Sequence, residues 1–198
     1  RGLAQLVSDF MNVFHDYLLR ASYRAPTPRI HAMSVIDQLV KNNAAYGETH
    51  GHRELPTAPQ LHLAVLTCMD SRLDLFGALG LDLGEVHLIR NAGGLASDDA
   101  IRSLLLSQRL LGTTSVMVIH HTRCGLETFN EEALQTELEE EFGSRPPFRL
   151  GAYSDVDADV RATVAALEAS PFINGTEIRG FVFSVDDGSL REVTTGAS

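Results

Sequence analysis

Leu63-Ala64-Val65-Leu66-Thr67-Cys68-Met69-Asp70-Ser71-Arg72 is an aliphatic run that ends on a cysteine and a polar turn. The run is too short for a helix, and its uniformly apolar, branched composition suits a strand buried on both faces. Val116-Met117-Val118-Ile119 reads the same way and leads into His120-His121-Thr122-Arg123-Cys124. Two such strands, each ending on residues that carry chemistry, predict a mainly parallel α/β sheet. In such sheets ligands gather in the crevice outside the carboxyl ends of the strands, where groups far apart in sequence can meet.

The chain has two cysteines, and both fall in these two segments. Zinc takes thiolate and imidazole ligands in a tetrahedron, and three protein ligands leave the fourth position for water or substrate. Cys68, His121 and Cys124 form such a set. A disulfide between the two cysteines is the competing reading at this point.

Composition narrows the class. A chain of 198 residues, 44% of them apolar, can build one α/β domain with a sizeable core. No apolar run approaches the roughly 18 residues needed to span a bilayer, so no membrane partner is expected. A formal charge of −10 and a pI near 5.2 argue against a nucleic-acid surface, which needs a basic patch.

Outward from the opening segment, the periodicity predicts further elements. A first strand runs from about His62 to Thr67, a short helix from Leu73 to Leu79 ends at Gly80, and a second strand covers Glu85 to Arg90. Asn91-Ala92-Gly93-Gly94 must turn tightly, and Ser97 is placed to cap a helix that Asp98 and Asp99 favour electrostatically and Gly112 stops. Gly125 to Phe142 reads as a helix with a solvated acidic side, including Glu131, Glu132, Glu137, Glu139, Glu140 and Glu141. Val156 to Glu168 reads as a last long helix. A strand over Ile178 to Val185, the turn signal Asp187-Gly188 and a strand over Ser189 to Val193 predict an antiparallel end to the sheet. Before all of this, Ser34 to Tyr46 is expected to be helical, with Ser34 and Asp37 as a capping box. Leu3 to Arg20 has helical spacing, and Pro26 and Pro28 break it. Arg1, Arg20, Arg24 and Arg29 suggest a transit segment, Asp9 and Asp16 argue against one, and an arm packed on a partner subunit is the other reading.

The pattern C-x-D-x-R followed by H-x-x-C resembles the β-class carbonic anhydrases. The likeness continues through His87-Leu88-Ile89-Arg90-Asn91-Ala92-Gly93-Gly94, through Asp98 to Leu104, through His120 to Gly125, and through Arg179-Gly180-Phe181-Val182-Phe183. It covers about Met33 to Val193 and is similar to the short bacterial and fungal branch, which also contains carbonyl sulfide and carbon disulfide hydrolases. Met33 matches the usual start of short members, so residues 1–32 are expected to be an extension, in the form of a helical arm, and residues 33–198 the catalytic domain.

The resemblance implies a zinc lyase in which a zinc-held hydroxide converts carbon dioxide to bicarbonate. With it, the H-x-x-C spacing and the neighbouring Asp-x-Arg favour metal over a disulfide. Free thiolates then imply a reducing compartment, and cytoplasm is the expected location. Two thiolates offset the charge of zinc, so its surroundings must help. Asp70, gripped by Arg72 through a charge-assisted contact, is expected to orient the reacting water. The resemblance also implies that Asp70 can move onto the metal and close its fourth position, and that members form dimers or larger homo-oligomers with clefts at the subunit interface. Asn91, Gly93 and Gly94 border the cleft with amides facing an anion, or form a plain turn. His120 is expected to be a core or supporting group on the opposite side of its strand from His121. His87 is expected to pack, and His50 and His52 to lie on the surface.

Two competitors remain. Carbonyl sulfide or carbon disulfide hydrolysis would use the same metal set. A zinc-stabilised interaction protein, in which Asp70 permanently completes a tetrahedron, would have no use for Arg72.

Overall fold

The computed structural model describes residues 34–50, 54–175 and 177–194. The helix expected at Leu3 to Arg20, the boundary expected at residue 33, and His52 lie outside them. The chain divides into two compact units, one ending at Arg53 and one spanning Glu54–Ser198.

The first unit contributes helix α1 (Val35–Thr49). Its start is the expected capping box: Ser34 Oγ accepts from the Asp37 amide at 3.1 Å, and the Asp37 carboxylate accepts from the Ser34 amide at 3.0 Å.

The second unit holds β1 (Leu63–Cys68), α2 (Leu75–Leu79), β2 (Val86–Asn91), α3 (Asp98–Leu111), β3 (Ser115–His121), α4 (Glu131–Phe142), α5 (Val156–Glu168), β4 (Glu177–Phe183) and β5 (Leu190–Val193). The sheet order is β2-β1-β3-β4-β5. The first four strands are parallel and β5 runs antiparallel to β4, as the sequence predicts. Gly188, with φ +76°, supplies the left-handed residue of the connecting turn.

Each face of the sheet has its own core. On one, Ala64, Leu66, Val116, Val118 and Val182 pack against Ala100 and Leu104 of α3 and Val160, Val164 and Leu167 of α5. On the other, Val65, Ile119 and Phe183 pack with Leu73 and Leu75 beside Cys68 and Cys124. Gly180 is where α5 meets the sheet: a Cβ there would collide with the Val160 side chain. Local signals end the helices. Ser97 Oγ accepts from the Ala100 amide at 3.3 Å to start α3, and Gly112 stops it in the left-handed conformation.

The acidic segment departs from expectation. A helix over Gly125 to Phe142 is interrupted: Gly125–Glu127 is a 3-10 turn, and α4 begins at Glu131. Asn130 causes the restart, because its side chain accepts from the Ala133 amide at 3.0 Å and acts as a fresh N-cap.

This topology positions the site. The strand order reverses between β1 and β3, which makes their carboxyl ends the natural crevice. The register pairs Thr67 with Ile119, so Cys68 and His121 leave adjacent strands almost side by side.

Candidate metal centre

Cys68 Sγ, a ring nitrogen of His121 and Cys124 Sγ lie within 4.8 Å of one another, and all three residues are buried. Both cysteines are free, so no disulfide competes for the sulfurs. Cys68 closes β1, His121 closes β3, and Cys124 follows one tight turn later. That turn needs Arg123 in the left-handed region, with φ +55°.

The imidazole is oriented for a metal. His121 Nδ1 donates to the Thr122 carbonyl at 2.9 Å, which leaves Nε2 as the lone-pair nitrogen of the neutral ring. Nε2 is buried and has no hydrogen-bond partner. A buried, unpaired nitrogen beside two sulfurs fits a soft divalent cation such as zinc.

The electrostatics of the sulfurs agree. Hydrogen bonding with Cys124 draws the Cys68 thiol down to about 6, against its burial and with help from the Asp70 and Gly93 amides. The same pairing, followed by burial, pushes Cys124 up to about 11. In the metal-free pocket the two sulfurs thus share one proton, which a cation would displace. Burial works to lower the His121 pKa, but the Cys124 sulfur, the Thr122 carbonyl and Asp70 outweigh it and raise the net value.

Asp70 and Arg72 follow in the turn after β1. Arg72 Nε donates to Asp70 Oδ1 at 2.9 Å and an Arg72 terminal nitrogen donates to Oδ2 at 2.7 Å, a bidentate grip. The Arg72 amide adds a bond to Oδ1 at 2.9 Å. These contacts, the Arg72 side chain first, hold the Asp70 carboxyl well below the ordinary range, so it is ionised throughout neutral pH. Asp70 Oδ2 lies 3.8 Å from His121 Nε2, beside the set of three but engaged with the guanidinium. Arg72 also donates to the Arg123 carbonyl at 2.9 Å, joining the turn after β1 to the turn after β3.

A family model described as carbonic anhydrase matches residues 63–144. "Beta-carbonic anhydrase 1" of Mycobacterium tuberculosis is 44% identical over 82% of this chain and 99% of its own length. The chain belongs to the β-carbonic anhydrase family. A solved carbonic anhydrase from Streptococcus mutans superposes with TM-score 0.78 at 40% identity, covering 83% of this chain and all of that one. The family reaches further: a carbon disulfide hydrolase of Acidithiobacillus thiooxidans is 31% identical over 80% of this chain and 90% of its own length. β-Carbonic anhydrases are zinc lyases, and the donor set found here suits that metal.

Other residues of this chain divide between expectation and surprise. His120 is a supporting group on the α5 side of the sheet: Nε2 bonds the Gly94 carbonyl at 3.2 Å and Nδ1 sits 3.1 Å from Asp159 Oδ2. His87 packs, bonded to Ser107 Oγ at 2.7 Å. The glycine turn is more than a bend. Gly94 has φ +74°, and a Cβ there would lie 2.9 Å from the Thr67 carbonyl carbon, so the turn seats directly on the end of β1. The Gly93 amide helps to lower the Cys68 thiol pKa, so this turn supports the sulfur.

The acidic helix does present a solvated face through Glu132, Glu137, Glu139, Glu140 and Glu141, and Glu131 is the exception. Its carboxylate accepts from three successive amides, Leu150, Gly151 and Ala152, at 2.6, 2.8 and 2.9 Å. These bonds, the Ala152 amide first, lower its pKa. They anchor the segment that leads to Tyr153, whose ring packs on the cluster containing Cys68 and Cys124. Sequence patterns missed Glu131, because nothing in a run of six glutamates marks the one that turns inward. They also gave no role to Arg90, although it lies in the family-like stretch, or to Thr122, whose Oγ1 accepts from the Val185 amide at 3.1 Å.

Proposed function

We propose that this chain is a zinc-dependent carbonic anhydrase that interconverts carbon dioxide and bicarbonate. The observation that carries the proposal is the ionised Asp70 carboxylate, gripped by Arg72 and set 3.8 Å from the unpaired nitrogen of His121. A purely structural metal site has no need of a charged acceptor clamped at its edge.

Cys68, His121 and Cys124 would hold the metal, with their roles fixed by the sulfur pair and by the Thr122 carbonyl on Nδ1. Zinc, when bound, supplies a strong nucleophile at neutral pH by acidifying water. Asp70 accepts a hydrogen bond from the reacting water and fixes its orientation, while Arg72 keeps the carboxylate in place. Were Arg72 to release it, Asp70 would be free to join Cys68, His121 and Cys124 as a fourth holder of the metal and so close the site to water, which would make the clamp a determinant of activity as well as geometry. An uncharged, weakly dipolar substrate calls for apolar walls. Exposed Met69, at 67% and next to Cys68 at the edge of the site, supports assembly into a homodimer or larger homo-oligomer that completes those walls. Free, buried cysteines suit a reducing compartment such as the cytoplasm.

The carbon disulfide hydrolase relative supports a second reading, hydrolysis of carbonyl sulfide or carbon disulfide at the same site. All three substrates are linear heteroallenes, so cleft width separates them rather than metal ligands. Stopped-flow carbon dioxide hydration and sulfide release from carbonyl sulfide, measured on one zinc-loaded preparation, test the choice. Faster hydration is expected, and faster sulfide release reverses the order.

A further inference from the structure

We propose that Arg90 is a positioning residue, holding the turn after β1 so that Asp70 stays presented to Arg72; this deepens the functional reading above and rests on it. Arg90 sits near the end of β2, opposite Thr67 of β1, so its side chain begins one residue short of Cys68. From there Nε donates to the Cys68 carbonyl at 2.9 Å, one terminal nitrogen donates to the Asp70 carbonyl at 2.6 Å, and the other reaches the Leu73 carbonyl at 3.4 Å. One guanidinium therefore spans the turn from its first residue to its last. None of the ion pairs among the described residues involves Arg90; its donors go to main-chain oxygens.

Two arginines thus divide one task. Arg72 holds the Asp70 side chain and Arg90 holds the Asp70 peptide. Cys68 is secured independently, since it belongs to β1 and the next amide, Met69, donates to the Asn91 carbonyl at 2.8 Å. Beyond Met69 the strand pairing ends. There the Arg90 fork restrains the peptide whose orientation decides whether the Asp70 carboxylate meets Arg72 squarely. A guanidinium offers donors in a rigid planar fork, a geometry that a lysine ammonium lacks. Removing the fork should disturb Asp70 while leaving the sulfur set intact.

The test uses the full chain with Arg90→Gln and Arg90→Lys. Loaded with zinc, Arg90→Gln should keep stoichiometric metal and lose kcat by about tenfold or more, with KM within about twofold. In the metal-free protein, hydrogen exchange at the Arg72 and Leu73 amides, now bonded to Asp70, should quicken by at least about tenfold while the amides of β3 stay unchanged. Arg90→Lys should fall between, because it keeps the charge and loses the fork. Full activity in the lysine variant would reduce the role to charge and overturn the proposal. So would unchanged exchange at Arg72 and Leu73, a loss confined to KM, or loss of zinc. Should the glutamine variant fail to fold, exchange in the lysine variant decides alone. If the unaltered protein does not hydrate carbon dioxide, the functional reading fails, yet the exchange experiment still decides whether Arg90 holds the turn.

Discussion

The two turns that bring the metal set together are held by different forces. The turn after β1 is fixed by charged side chains: Arg72 on the Asp70 carboxylate and Arg90 on three carbonyls. The turn after β3 is fixed mainly by its own backbone and β4. The Thr122 amide donates to the Phe183 carbonyl at 3.0 Å, Thr122 Oγ1 accepts from Val185, and the His121 ring bonds the Thr122 carbonyl. Charge-assisted contacts can be released or re-formed, whereas a strand ladder is part of the fold. The contrast assigns the adjustable part of the site to the Asp70 side and the rigid part to the His121 side.

The largest effect should ignore this difference. Cys68→Ser and His121→Ala, one from each turn, should both lose stoichiometric zinc and all measurable hydration by metal analysis and stopped flow. Retention of metal by either variant would break the assignment of that residue.

Next in size, Asp70→Ala should keep its zinc and lose about a hundredfold or more in kcat/KM, a magnitude typical of a group that handles a proton. Activity near that of the unaltered protein would remove Asp70 and Arg72 from the reaction. It would also erase the distinction between the turns.

Proton release measures the sulfurs. The metal-free pair carries one shared proton, with Cys68 near 6 and Cys124 near 11, so zinc loading at neutral pH should expel about one proton from the thiols. His121, with its raised pKa, adds to the release as pH falls. Affinity should therefore rise with pH. Titration calorimetry in buffers of different ionisation enthalpy counts these protons, and a pH-independent affinity would contradict the shared-proton description.

The smallest effects should fall in the rigid turn. Thr122→Val leaves the Val185 amide without its acceptor and should lower stability by about 1–3 kcal/mol with kcat within about twofold, read by urea unfolding and kinetics. Arg123→Ala removes an ion pair with Asp186 in which both side chains are 61% exposed, so less than about 1 kcal/mol should be lost. A large kcat effect in either variant would move adjustability to this side as well.

Much of this was legible in the sequence. Apolar runs ending at Cys68 and before His121 foretold two parallel strands and the crevice beyond them, and Asp187-Gly188 foretold the antiparallel return. Ser34, Ser97, Gly80 and Gly112 marked helix ends because caps act locally. What stayed hidden depended on distance in space. Glu131 finds its amides about twenty residues onward, where no periodicity points, and Arg90, though part of a stretch that carries the family likeness, finds its carbonyls on the neighbouring strand, which the stretch itself does not reveal. The break before α4 was also missed, since Asn130 is as common in loops as at caps.

The central claim is that two sulfurs and one imidazole from these turns hold a catalytic zinc. X-ray absorption at the zinc edge of the active, purified protein tests it most directly. The account predicts one zinc per chain with two sulfur neighbours at about 2.3 Å and nitrogen or oxygen neighbours at about 2.0 Å. Active protein without zinc, or zinc with fewer than two sulfur neighbours, would contradict it.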